Sequence, residues 1–116
     1  MLGDYRGAWA RARSVRSRWF VAHVLGPSMS PTLEDADLLL VDRDARVLPG
    51  RVVVVDLPDG TTAVKRVTHA EPGGWWVERD NPERGVDSWL VGAIPAGDVH
   101  GVVRARLWPR PRRLHG

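Results

Sequence analysis

Four consecutive valines, Val52 to Val55, lie within the stretch Arg51 to Leu57, and Pro58-Asp59-Gly60 follows directly. A run of β-branched side chains is stiff at χ1 and suits a pleated strand better than a helix. A Pro-Asp-Gly triplet supplies the fixed and the permissive backbone angles of a tight turn. Thr61 to Thr68 is therefore predicted to return as the second strand of a hairpin. The same logic reads Phe20 to Leu25, Leu38 to Asp42, Trp75 to Glu78 and Val99 to Leu107 as strands, with turns at Pro49-Gly50 and Gly73-Gly74. The expected fold class is mainly β, an antiparallel sheet, with regular structure ending at Trp108-Pro109-Arg110-Pro111.

Two segments break the pattern. Tyr5, Trp9, Ala12, Arg16 and Trp19 recur at spacings of three or four, which predicts a short amphipathic helix over Asp4 to Phe20. Asp80 to Ile94 is polar and holds Asn81-Pro82, Gly85 and Gly92, so it reads as an irregular connection rich in local hydrogen bonding. With 116 residues the chain is read as one domain, residues 21–108, with a basic arm at 1–20 and a basic tail at 109–116.

The absence of cysteine excludes disulfides, thiolate metal sites and a cysteine nucleophile. Four histidines without paired ligand spacing give no metal site, and no cofactor is expected. No apolar run approaches the ~20 residues of a membrane span, nor the ~7–15 of a secretory signal core. A cytoplasmic protein is expected, with peripheral membrane contact left open. Arginines gather in Arg6 to Arg18 and Arg104 to Arg113 while the net charge is only +3, and a solvated surface is the plainer reading of both groups.

Among 17 Lys plus Arg residues only Lys65 is a lysine, and arginine does not give up its proton at any pH a protein tolerates. Strand alternation places Lys65 on one face with Ala63 and Val67. An apolar face desolvates the ammonium, lowers its pKa and makes a neutral amine available as a general base. Gly26-Pro27-Ser28-Met29-Ser30-Pro31-Thr32-Leu33 cannot be a regular helix or a central strand, and its prolines hold Ser28 in one orientation, as a nucleophile requires.

Gly26 to Leu33 resembles the Gly-x-Ser-Met-x-Pro-Thr-Leu motif of type I signal peptidases, and Lys65-Arg66-Val67 resembles the base motif of that family, 37 positions beyond Ser28. Asp80-Asn81, Asp87-Ser88, Gly92 and Ile94-Pro95 are similar to its third motif. The resemblance implies a signal-peptidase-like antiparallel sheet and a Ser28/Lys65 dyad that cleaves a precursor polypeptide. It also implies an oxyanion and substrate-binding region at Ser28, Met29, Gly26 and Ala63, with support from Arg66, Asp80, Asp87 and Ser88. A substrate strand would lie between Phe20 to Leu25 and Thr62 to Val64. Three positions depart from the pattern: Arg79 stands where the family has glycine, Gly85 where it has a serine beside the base, and Trp89 where it has an arginine that would pair with Asp87. Arg66 is the expected substitute, pairing with Asp80 or Asp87, and Ser88 or packing is expected to orient Lys65.

The ending Val102 to Pro111 is most similar to the nickel-type superoxide dismutase maturation proteases, which implies that dismutase precursor as the substrate, with nickel bound by the substrate and not by this chain. Other readings are a general signal-peptidase-like protease, a non-catalytic peptide-binding relative, and a nucleic-acid-binding β domain using Trp9, Trp19, Trp75, Trp76, Trp89 and Trp108. A serine activated by His23, His69 or His100 has no supporting motif, and no nucleic acid is expected as a partner.

Overall fold

The computed structural model describes residues 17–83 and 87–114. Seven strands form one antiparallel sheet: β1 (Trp19–His23), β2 (Leu38–Asp42), β3 (Val52–Asp56), β4 (Thr62–Glu71), β5 (Gly74–Glu78), β6 (Val99–Trp108) and β7 (Arg112–Arg113). Their order is β1-β2-β6-β3-β4-β5, with β7 pairing β6. A four-residue helix, α1 (Ser88–Val91), and a 3-10 turn at Ala96–Asp98 lie between β5 and β6.

The valine run sits at the centre of this order, between β6 and β4, and all four valines are buried. Successive strand residues point to opposite faces, so a run buried throughout means that both faces are covered. Val52 and Val54 join Ala22, Val24, Leu39, Val41, Val64 and Val103 in one core cluster. Val53 and Val55 join Val67, Val77, Ile94 and Val102 in the other. Close approach between strands is fixed at Gly101, where a Cβ would lie 2.8 Å from the Asp42 carbonyl oxygen.

The hairpin forms where the sequence places it: β3 pairs β4 from Val52↔Arg66 to Asp56↔Thr62, and the Leu57 N–H donates to the Thr61 carbonyl at 2.8 Å across the turn. β2 coincides with the predicted strand, and the mainly β antiparallel fold class is the observed one.

Three expectations are corrected. Trp19 and Phe20 close no helix; they pair with Asp42 and Val41 as the start of β1, and Arg18 fixes this entry by donating from Nε and Nη2 to the two Asp42 oxygens, each at 2.8 Å. Residues 1–16 of the expected helix lie outside the described residues. Regular structure resumes after Pro111, where Arg112 and Arg113 pair with Arg106 and Ala105. The 80–94 connection contains α1, whose first turn is capped by the Asp87 carboxylate accepting the Trp89 N–H at 3.1 Å.

Candidate functional site

The loop carrying Ser28 is shaped at both ends by its own residues. Gly26 has φ +79°, a left-handed conformation that a side chain would strain, and its N–H donates to Asp35 Oδ1 at 2.7 Å. Two turns follow, with the Ser30 N–H donating to the Pro27 carbonyl at 3.0 Å and the Leu33 N–H to the Met29 carbonyl at 2.9 Å. Met29 and Leu33 are buried in the first core cluster, so apolar burial anchors the chain directly after the half-buried Ser28. An open cavity of about 600 Å³ borders this loop, lined by Gly26, Pro27, Ser30, Glu34 and Asp35.

Lys65 lies on β4 opposite Val53 of β3, on the face whose Ala63 and Val67 pack in the second cluster. It is 2% exposed. Burial pushes its amine below the ordinary lysine range; the Asp87 carboxylate opposes this shift and the Arg79 guanidinium adds to it. The Lys65 side chain makes no ion pair among the described residues.

A short circuit of bonds joins the two segments. Arg66, next to Lys65, donates from Nε and Nη2 to the two oxygens of Asp80 at 2.9 and 2.8 Å, and from Nη1 to the Gly50 carbonyl at 2.7 Å. The Asn81 N–H donates to the Ser28 carbonyl at 2.8 Å, and its side-chain amide to the Pro27 carbonyl at 2.9 Å. Burial alone would push Asp80 up, but hydrogen bonds from Arg66 and Thr32, together with the Arg66 charge, outweigh it and hold this carboxyl below its ordinary range. Thr32 belongs to the Ser28 loop, so Asp80 ties that loop to the strand of Lys65.

Of the two partners expected for Arg66 it takes Asp80, and Asp87 is held by Arg79 instead, with Nη1 at 2.7 Å from Oδ2. Arg79 also donates to the Pro82 carbonyl at 3.0 Å. Ser88, expected near the lysine, is buried and its hydroxyl oxygen accepts the Val77 N–H at 2.9 Å, which fastens α1 to β5. Gly85 lies outside the described residues. Sequence reasoning missed Arg79 as the partner of Asp87. The signal was a pair of departures, an added arginine at 79 and a lost one at 89, which offset each other only when seen in three dimensions. It also missed Asn81 as the tether of the Ser28 loop.

The other candidates lie apart from this circuit. His69 stacks on Trp76 and pairs with Glu71 at 3.0 Å, and His100 lies 3.0 Å from Asp56. Trp75 packs against the second cluster, while Trp76 and Trp89 meet edge to face and both donate their indole N–H to Glu78 Oε2. Trp19 and Trp108 are exposed, on β1 and β6. None of the helices is long and apolar enough to cross a membrane, among the described residues.

The profile of the Peptidase S24-like family matches residues 4–101. Mitochondrial inner membrane protease subunit 1 of Xenopus tropicalis is 28% identical over 110 residues, covering 72% of this chain and 66% of that protein. The mouse and human proteins of the same name are each 26% identical with the same coverage. The chain thus spans about two thirds of the length of these relatives, at 66%.

Proposed function

Because the chain belongs to the Peptidase S24-like family, we propose that it is a serine endopeptidase in which Ser28 is the nucleophile and Lys65 the general base. The observation that carries this reading is a lysine 2% exposed, with no ion pair among the described residues, on a strand bonded through Arg66, Asp80 and Asn81 to the loop that bears Ser28. A buried ammonium without a counter-ion is destabilised relative to the neutral amine, and the neutral amine is the form that accepts a proton. The names of the relatives, which are those of a protease, support the same reading.

Neutral Lys65 takes the hydroxyl proton of Ser28 as the oxygen attacks the substrate carbonyl carbon. The oxyanion that forms is met by the Ser28 backbone N–H. The lysine then returns its proton to the leaving amine, and an ester to Ser28 remains. Water attacks that ester with Lys65 again accepting a proton, and Ser28 is restored.

An extended substrate has a strand edge available. β5 pairs β4 only from Arg66 onward, so Thr62, Ala63, Val64 and Lys65 are paired on one side, with β3, among the described residues. A peptide added along Ala63 by backbone hydrogen bonds passes in front of Lys65. The narrower substrate, the precursor of a nickel-type superoxide dismutase, is part of the proposal and is supported by the similarity of Val102 to Pro111 to the processing enzymes of that precursor.

The test is incubation of the parent chain, Ser28→Ala and Lys65→Ala with a peptide spanning the precursor cleavage site, with products read by mass spectrometry from neutral to alkaline pH. Cleavage by the parent alone, rising with pH, is the expected result. Cleavage by Ser28→Ala at the parental rate would falsify the nucleophile assignment, and an intact peptide in all three samples would remove this precursor as the substrate.

A further inference from the structure

Arg79 follows β5, and its guanidinium is spent on two acceptors, the Asp87 carboxylate at 2.7 Å and the Pro82 carbonyl at 3.0 Å. Its Nε is buried without a hydrogen-bond partner among the described residues. A buried orphan donor costs stability, which offsets part of what the ion pair and the bond to Pro82 contribute. Asp87 is itself 4% exposed, with one oxygen on the Trp89 N–H at the start of α1 and the other on Arg79.

We infer that Arg79 is a positioning residue for the Lys65 amine: it holds the Asp87 carboxylate on its own guanidinium and on the N-terminus of α1, so that this carboxylate does not become the counter-ion of Lys65. The inference rests on the reading of Lys65 as the base. Without the arginine, Asp87 would be a buried anion with one partner fewer; Arg66 pairs with Glu78 across the sheet, so Arg79, the next residue, and the carboxylate it holds sit at the level of Lys65. A lysine paired with that carboxylate stays protonated and cannot take the Ser28 proton.

The surroundings of Lys65 leave few other charges to account for. The strands packed on its face present Val53 from β3, Val67 from β4, Val77 from β5 and Val102 from β6. Arg66 of its own strand is taken up by Asp80 and Gly50. Among the described residues, the ionisable groups that act on the amine are Asp87, which favours the charged form, and Arg79, which disfavours it. Removing Arg79 therefore shifts the lysine in one direction by two routes: a repelling cation is lost and an attracting anion is released.

Lys65 is the sole lysine in the sequence, so lysine labelled with 13C and 15N gives one side-chain signal whose titration is read directly. The titration is run on the full chain for the parent, Arg79→Gln, Asp87→Asn and the Arg79→Gln/Asp87→Asn double variant, each checked for folding by its amide spectrum. Arg79→Gln is expected to raise the Lys65 midpoint by about 1 pH unit or more. The double variant is expected to bring it back toward the parent. An unmoved midpoint in folded Arg79→Gln overturns the inference, as does a double variant that stays high. The rate of peptide cleavage against pH separates this from the dyad itself: a midpoint that moves while the rate profile does not contradicts Lys65 as the base and leaves the role of Arg79 toward the amine intact.

Discussion

Asp42 and Lys65 are buried to the same degree, at 0% and 2% exposure, yet they are held in opposite ways. Asp42, on β2, accepts two bonds from Arg18 at 2.8 Å and the Asp44 N–H at 2.9 Å, and these hold it below the ordinary carboxyl range. Lys65, on β4, is surrounded by valines and has no ion pair among the described residues. A charge buried to keep a chain entry in place is matched with hydrogen bonds that favour its ionised form. Lys65, the proposed base, is left in surroundings that favour its neutral form. The same sheet contains both solutions, separated by β6 and β3 in the strand order.

The largest effect that breaks this comparison is expected from Lys65→Met. Peptide cleavage should fall by roughly 10²–10⁴-fold or more, the range lost with a general base. Stability should move the other way. The folded state binds the Lys65 proton less tightly than the unfolded state, so this residue opposes folding below its folded pKa, and that opposition fades as pH rises toward about 10.4. Replacing it by methionine is expected to leave the unfolding midpoint at neutral pH unchanged or raised, as measured by thermal denaturation followed by circular dichroism. A large drop would show that the amine is a structural charge like Asp42.

A second variant sharpens the contrast between holding and working. Asp80→Ala removes the carboxylate that joins Arg66 to Thr32, while leaving Ser28 and Lys65 in place. Loss of alignment is expected to lower kcat by about 10–100-fold with a smaller change in KM, read from steady-state cleavage.

Asp42→Ala should do the reverse, lowering stability by about 1–3 kcal/mol in urea denaturation while the folded fraction retains parental kcat. The sign of its pH dependence follows from the depressed carboxyl. Its contribution is complete above the unfolded value of about 3.9 and is lost as pH falls through the lower folded value. Acid unfolding of Asp42→Ala should therefore show a weaker pH dependence in that window than the parent. The smallest effect is expected at Trp89, which is 76% exposed and meets Trp76 and Glu78. Trp89→Ala should change stability by about 0.5–1 kcal/mol and leave the cleavage rate near parental.

Much of the sheet was legible because its strands announce themselves locally. Leu38 to Asp42 is bounded by charged and polar neighbours, and Val52 to Val55 is followed by an unmistakable turn. That both faces of β3 are covered was not legible, since a solid valine run has no period to read. The pairing of β6 with β2 and with β3 joins residues 44 to 70 positions apart, for which no local signal exists. The four residues of α1 span barely one helical turn, too few to show a period. At the site, alternation correctly put Lys65 with Ala63 and Val67, because period two is enforced by the pleat. The Arg79 to Asp87 pair was hidden because its two members are joined across an irregular connection, where spacing carries no geometric meaning.

The central claim is that Ser28 becomes covalently acylated with Lys65 as its base. It is tested most directly by the intact mass of the chain after brief exposure to an activated peptide ester, with the modified residue mapped by fragmentation, in the parent and in Lys65→Met. The expected result is one acyl group on Ser28 in the parent, forming faster as pH rises, and none above background in Lys65→Met. Acylation at another residue, or equal acylation of Ser28 without the lysine, would contradict the account.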